Sequence, residues 1–403
     1  MEKKRWLYAA AGVVILFFAG LVYAWSVLAS PIGVYFSEWS AAQLSLTFTI
    51  CMSFFCLGGL FGGLTAGKIN VKINVWLASA LFLAGFFLAS RAQSLIMLYV
   101  GFGVLCGMGS GFAYNAVMST VTKWFPDKPG LISGILLMGF GIGSFVIGKV
   151  YQAMTPSGAG VEAWRTSFFG MGVILCAVLL LGSFFLKLPD ASFKLPEGGK
   201  KAKKNSEEGM EATPGVMLRR PAFWLYFVWV TLMCVAALAL ISQASSIALG
   251  VKPDLDAGTV ATAVGLISIF NGIGRILFGG AFDKIGRKKT MGIINVAFLV
   301  ATLILLLAVI LHSFPLIILG FVCIGLAYGG VTPTNSAFVS AFYGAKHYPV
   351  NFQLVTLNLL VSSFGSTAAG ALYDMSGSYI STFVMMLAAI VLASGASFLI
   401  KRP

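Results

Sequence analysis

The sequence predicts an all-α membrane protein of twelve transmembrane helices arranged as two pseudo-symmetric six-helix bundles. Three observations carry this. Of 403 residues, 59% are hydrophobic and only 10% charged, against roughly 25% charged in soluble domains, which leaves too little polar surface to keep the chain in water. The apolar residues come in unbroken runs of about twenty, the length that crosses a bilayer as a helix, and not in the alternating segments of a barrel. Glycine is frequent at 47 residues, which suits helices that associate in lipid by close backbone packing. A soluble enzyme is excluded, and no catalytic residue, cofactor or metal is expected.

The first run, about Leu7 to Ser30, follows a basic start and is too long for the core of a cleaved signal peptide, so it reads as the first span. Five more follow near 43–66, 74–91, 95–122, 131–151 and 166–187. Trp164 and Arg165 open the sixth, where an aromatic and a cation suit an interfacial anchor. From Leu188 to Arg220 the chain is rich in Lys, Glu, Gly and Pro, cannot bury a core, and reads as a linker. Six further runs lie near 222–249, 258–281, 290–312, 314–343, 351–373 and 379–400. The expected organisation is therefore a bundle at 1–187, a linker at 188–220 and a second bundle at 221–403. The six cysteines fall inside apolar runs without metal-like spacing and read as small hydrophobes.

Charge is sorted by loop. Apart from Arg275, all 27 Lys and Arg lie at the termini, in the linker or in loops of the same face, except Arg91, Lys149, Arg165 and Lys252. This asymmetry places both termini and the linker in the cytoplasm of a chain integral to the plasma (inner) membrane. The net charge of +14 is thereby topology, with the lipid bilayer as partner and no nucleic acid. The chain also repeats itself. GMGSGF from Gly107 matches GLAYGG from Gly325, and GGLTAGKINVK from Gly62 matches GGAFDKIGRKK from Gly279, both about 217 residues apart. Two like-oriented six-helix halves suit a carrier whose halves rock around a central site. No GxxxxGK[ST] motif is present, so ATP does not drive it directly.

GGAFDKIGRKK resembles the signature loop of the major facilitator superfamily, with Gly279, Asp283, Gly286 and Arg287 at its marked positions. Asp283 can pair with Arg287 or cap a neighbouring helix N-terminus, acting as a gate, or the loop can be a solvated turn that only enforces topology. The first half carries Ala66 and Asn70 where the second has Asp283 and Arg287, which weakens or removes a charged latch there. Within that superfamily the chain is similar to the oxalate:formate antiporter family and to monocarboxylate transporters. The resemblance rests on VYAW at Val22 to Trp25, GFAYN at Gly111 to Asn115, NGIGR at Asn271 to Arg275 and NFQLVTLN at Asn351 to Asn358.

One ionisable residue falls clearly within a span. Arg275 lies eight residues, roughly 12 Å of helix, before Asp283. A guanidinium at that depth costs about 2.5 to 3.5 kcal/mol on insertion scales and calls for a counter-charge, a watery cavity, or both. All 13 acids fall in loops or tails, so a carboxylate cargo answers the need. A planar fork that never loses its proton suits such a cargo. The competing reading is an arginine bonded to helix carbonyls for packing. Counting depth from the loops places Asn271, Tyr114, Asn115 and Asn358 in the same layer, with Tyr23 and Tyr328 about 10 Å further out, although each alone also reads as a packed polar residue.

The resemblance implies that oxalate carriers use an arginine in the eighth span and a lysine in the eleventh. Asn358 stands at the lysine position, which favours a monocarboxylate such as lactate, pyruvate or formate over a dicarboxylate. It also implies an aspartate four residues before the arginine in animal monocarboxylate transporters. Asn271 stands there and cannot carry a proton. The expectation is a monomeric secondary transporter of small organic anions working by alternating access. The alternatives are an oxalate:formate-type exchanger, a carrier of neutral solutes, or a channel or sensor.

Overall fold

A computed structural model describes residues 2–39, 41–155, 160, 162–189 and 210–402. Most of the expected linker, 190–209, lies outside these. Among the described residues, eleven helices are long and apolar enough to cross a bilayer. One of them, Thr262–Ile310, is two spans joined through a bend, so the expected eighth and ninth runs form a single merged helix and the crossings number twelve. The chain is all-helical, its only described β-bridge lying within the turn from Ala66 to Ile69.

The helices are α1 (Glu2–Ala19), α2 (Trp25–Tyr35), α3 (Ala41–Thr65), α4 (Val71–Ser90), α5 (Leu95–Leu98), α6 (Gly107–Val121), α7 (Pro129–Met154) and α8 (Ala163–Phe184). After the linker come α9 (Pro214–Leu218), α10 (Pro221–Val251), α11 (Ala257–Ile310), α12 (Phe314–Tyr343), α13 (Tyr348–Thr356), α14 (Asn358–Ser362), α15 (Phe364–Ser376) and α16 (Ile380–Leu399). Three spans are less regular than their apolar runs suggest. The first tightens into a 3₁₀ turn over Gly20–Ala24 before α2 carries it on to Tyr35, with Pro31 inside α2. The fourth contains a π-helical stretch, Tyr99–Cys106, between α5 and α6. There Gly101 lies so close to the α4 backbone at Gly85 and Ala89 that no side chain fits, and a wide turn accommodates the approach. The eleventh is broken at Leu357 and Ser363 into α13, α14 and α15.

The chain divides into two compact units, Met1–Asp127 with Gly139–Lys204, and Lys128–Met138 with Asn205–Pro403. In the first unit, Arg5 donates from Nη1 to Asp127 Oδ1 at 2.9 Å, with both side chains nearly enclosed, and its guanidinium lies over the Phe125 ring. This pair ties the start of α1 to the segment after α6. Arg165 donates to the carbonyl oxygens of Ser90 and Ala92 at 3.0 and 2.9 Å, closing the C-terminal end of α4. Trp164, expected at a membrane interface, is fully buried among Tyr35, Phe36 and Phe168. It is a core residue of this unit, not an anchor. In the second unit the Tyr226 hydroxyl donates to Asn335 Oδ1, and Trp229 Nε1 donates to Asn295 Oδ1, whose amide donates to Ser397 Oγ. Buried polar side chains thus bond α10, α11, α12 and α16 to one another, as burial of polar groups requires.

The bend in α11 is set at Gly286, whose φ of 78° and ψ of 172° leave the helical region. A Cβ there would meet nothing within 4 Å, so the demand for glycine is purely conformational. Gly286→Ala is expected to cost about 1–2 kcal/mol through backbone strain alone. It should lower the apparent melting temperature of the purified protein followed by tryptophan fluorescence, and an unchanged midpoint would show that the bend tolerates a side chain.

Candidate functional site

Within the second unit, the neighbourhood of Arg275 is built by backbone approach. A side chain on Gly329 of α12 would collide with the carbonyl oxygen of Asn271, the Cα of Gly274 and the amide nitrogen of Arg275 on α11. One on Gly274 would strike the backbone of Leu326, and one on Gly134 of α7 the carbonyl of Arg275. Helices α7, α11 and α12 therefore pass at backbone contact around one turn, Asn271 to Arg275. Tyr328, half-buried, precedes Gly329 in α12. Asn271 is buried one helical turn before Arg275 and shares its face. Arg275 is only part-buried, and its Nη1 donates to the carbonyl oxygen of Leu137 in α7. A backbone acceptor in the middle of a span is the partner that the competing packing reading called for. It takes one of the five N–H donors a guanidinium presents.

Asn358 is 1% exposed and opens α14 just after the break at Leu357. Its amide donates to Val355 O at 2.8 Å, while its Oδ1 has no partner among the described residues. Sequence reasoning missed Gln353, five residues earlier. It is fully buried, and neither amide atom has a hydrogen-bond partner among the described residues. Polar groups so placed are rare and need an explanation. The only sequence signal was a glutamine inside an otherwise apolar helix, which also describes ordinary packing.

In the first unit, Tyr23 and Tyr114 meet through a shared aromatic cluster. Phe140 contacts the ring of Tyr23 edge-on at 5.5 Å and that of Tyr114 at 5.3 Å, and Phe55 lies 5.1 Å from Tyr114. Tyr23, in the 3₁₀ turn, is 39% exposed, whereas Tyr114 is buried and Asn115 completely so. The 3₁₀ turn is what exposes Tyr23, because its neighbours Leu21, Val22 and Ala24 are all buried.

The signature loop has a defined geometry. Asp283 accepts from the backbone N–H of Gly130 and Leu131 at 2.9 and 2.7 Å, in the first turn of α7. Gly130 and Gly279 are packed so tightly that neither has room for a Cβ. The carboxylate thus meets the positive end of a helix dipole and satisfies donors that have no intrahelical partner. Arg287 makes no ion pair with Asp283. It donates to the carbonyl oxygens of Ser397 and Ile400 at 3.4 and 3.1 Å, at the C-terminal end of α16, and lies over the Phe342 ring. In the first half, Asn70 in the position of Arg287 accepts from Lys72 N and caps α4.

The sequence profile of the Major Facilitator Superfamily matches residues 7–358 and again 232–403. The chain is 28% identical over 371 residues to the MFS-type transporter YhjX of Escherichia coli, covering 90% of this chain and 86% of that one. It is 26% identical to the oxalate:formate antiporter of Oxalobacter formigenes over 99% of this chain and 92% of that one. Mouse monocarboxylate transporter 12 is 31% identical over 138 residues, 34% of this chain and 25% of its own. Among solved structures, the proton:xylose symporter XylE superposes with a TM-score of 0.75 at 12% identity, over 99% of this chain and 96% of that one, a likeness of fold alone.

Backbone approach at Gly329 gives a direct test of what holds the Asn271–Arg275 turn in place. Gly329→Ala sets a methyl against Asn271 and Gly274 and is expected to cost about 1–3 kcal/mol by overpacking. Gly265→Ala, on the same helix as Arg275 but with open space around it, should leave the melting temperature unchanged. Equal midpoints for the two variants would mean the contact is dispensable.

Proposed function

Since the chain belongs to the Major Facilitator Superfamily and is a multi-pass secondary transporter, not an enzyme, we propose that its cargo is a small monocarboxylate held at Arg275. The observation that carries this is a permanently charged guanidinium inside an apolar span, part-exposed, one helical turn from Asn271. A carboxylate fits it because two parallel N–H donors match two oxygens and the charge cannot titrate away. On this reading the Leu137 carbonyl orients the side chain, and the guanidinium fork addresses the cargo. The likeness to an oxalate:formate antiporter over nearly the full length supports a small carboxylate. Asn358, neutral where that family's oxalate carriers have a lysine, favours one carboxylate over two. Tyr23 and Tyr114 are proposed as the aromatic wall of the other bundle.

Alternating access by rocking of the two bundles, with the termini on the cytoplasmic side, is the proposed mechanism. The Asp283 cap on α7 is the contact proposed to break and re-form, since two hydrogen bonds to a charged acceptor are strong enough to hold one state and weak enough to exchange. Coupling through a proton on residue 271 is not part of this proposal, because an amide does not titrate.

Arg275→Gln keeps hydrogen-bonding capacity but removes the charge. In proteoliposomes, counterflow of labelled lactate should fall by at least about tenfold, the loss expected for one charge-assisted hydrogen bond. Arg275→Lys should retain a part of it. Wild-type counterflow in the glutamine variant would sink the proposal, and a thermal shift with oxalate exceeding that with lactate would move it to a dicarboxylate. A second variant tests the neighbourhood. Asn271→Asp places an internal anion one turn from the guanidinium, where it competes with the cargo, so the half-saturating lactate concentration should rise about tenfold. An unchanged value would separate position 271 from the site.

A further inference from the structure

The segment that leads from the linker into the second bundle is fastened at one place, by contacts that no part of the cargo site uses. Glu211 accepts from the backbone N–H of Ala345 at 3.1 Å and of Lys346 at 2.9 Å, in the turn between α12 and α13. Beside it, Ala212 N donates to Tyr343 O at 3.1 Å, and the buried amide of Asn351 in α13 donates to Ala212 O at 2.9 Å. The cradle is shaped for a carboxylate. Gly344 has a φ of 76°, and a Cβ there would lie only about 2.5 to 2.6 Å from the carboxyl carbon and both oxygens of Glu211. Two successive N–H groups after a left-handed glycine form a concave anion site of the kind made by backbone nests.

The internal repeat gives this contact its meaning. Asp283 caps α7 through Gly130 and Leu131. Moved by the repeat distance of about 217 residues, Gly130 and Leu131 correspond to His347 and Tyr348 at the start of α13, and Asp283 corresponds to Ala66. The first repeat thus offers no carboxylate for its half of the pattern. Glu211 sits on amides one to two residues ahead of that helix start, where His347 itself makes no side-chain cap. We propose that Glu211 is a positioning residue that supplies, from the linker, the helix-terminal carboxylate missing from the first repeat. The charge at the start of α13 is preserved while its donor has moved to a different segment of the chain. Glu211 and α13 belong to the same compact unit. The helix so positioned carries Gln353 and leads directly into the break before Asn358.

The test reads backbone amides and does not require knowledge of the cargo. In the full-length protein in nanodiscs, hydrogen–deuterium exchange is followed on the peptide covering 343–351. Glu211→Gln, which keeps one acceptor but not the charge, should raise exchange there about two- to fivefold, the range expected of a surface anion at a helix terminus. Glu211→Asp should stay closer to wild type, and the difference between wild type and Glu211→Gln should shrink at 1 M salt, where such charges are screened. Wild-type exchange in Glu211→Gln would overturn the proposal by making the contact a neutral staple. Neither outcome depends on which solute is carried.

Discussion

Helices in lipid have no hydrophobic drive to associate, so what brings them together is backbone-to-backbone packing where side chains are absent. That constraint shapes both units in the same way. In the first, Gly107 rests on Cys51, Gly111 on Phe55 and Gly59, and Gly58 on Met108. In the second, Gly325 rests on Ile267, Gly329 on Asn271 and Gly274, and Gly274 on Leu326. These are the same three contacts, one repeat apart. The glycines that sequence comparison reveals as a repeat are therefore the points where α3 meets α6 and where α11 meets α12. The turn carrying Asn271 and Arg275 is held at such a point, which is why a long, mobile side chain at 275 has a fixed root.

Electrostatics then works through helix ends more than through ion pairs. Asp283 meets the N-terminus of α7, Arg287 the C-terminus of α16 and Arg165 the C-terminal end of α4. Each satisfies backbone groups that a helix leaves open, with the charge sign the macrodipole favours. The enclosed Arg5–Asp127 pair works differently, and removing one partner there would strand a buried charge. An acid and a base four residues apart in the signature loop read naturally as a pair, yet the geometry sends them to two different helices.

Much of this was legible in the sequence. Apolar runs located the spans because a bilayer leaves no other way to satisfy the backbone, and the spacing of Asn271 and Arg275 put them on one face. What escaped has a common cause. The Leu137 carbonyl beside Arg275, the Gly344 cradle under Glu211, the merging of two spans at Gly286 and the breaks at Leu357 and Ser363 are all properties of the backbone. Backbone atoms are the same at every residue and leave no mark in periodicity or charge. Trp164 failed for the opposite reason: its position in the run fitted an interface, but Tyr35 and Phe36 from another segment, with Phe168 one turn on in α8, pack around it.

The proposed cargo site also bears on how transport is driven. A neutral Asn271 beside a permanent cation leaves that turn of α11 with a charge that does not change with pH. Under the proposed reading, a bound anion offsets the guanidinium charge, and an empty site crosses without that compensation through a region where charge is expensive. Loaded crossings are then favoured in both directions. A carrier in that position exchanges one anion for another more readily than it returns empty, and net uptake requires a cargo that brings its own proton or a titratable group elsewhere in the chain. Under the proposed reading, an amide at position 271 where an acid could stand favours exchange over proton symport.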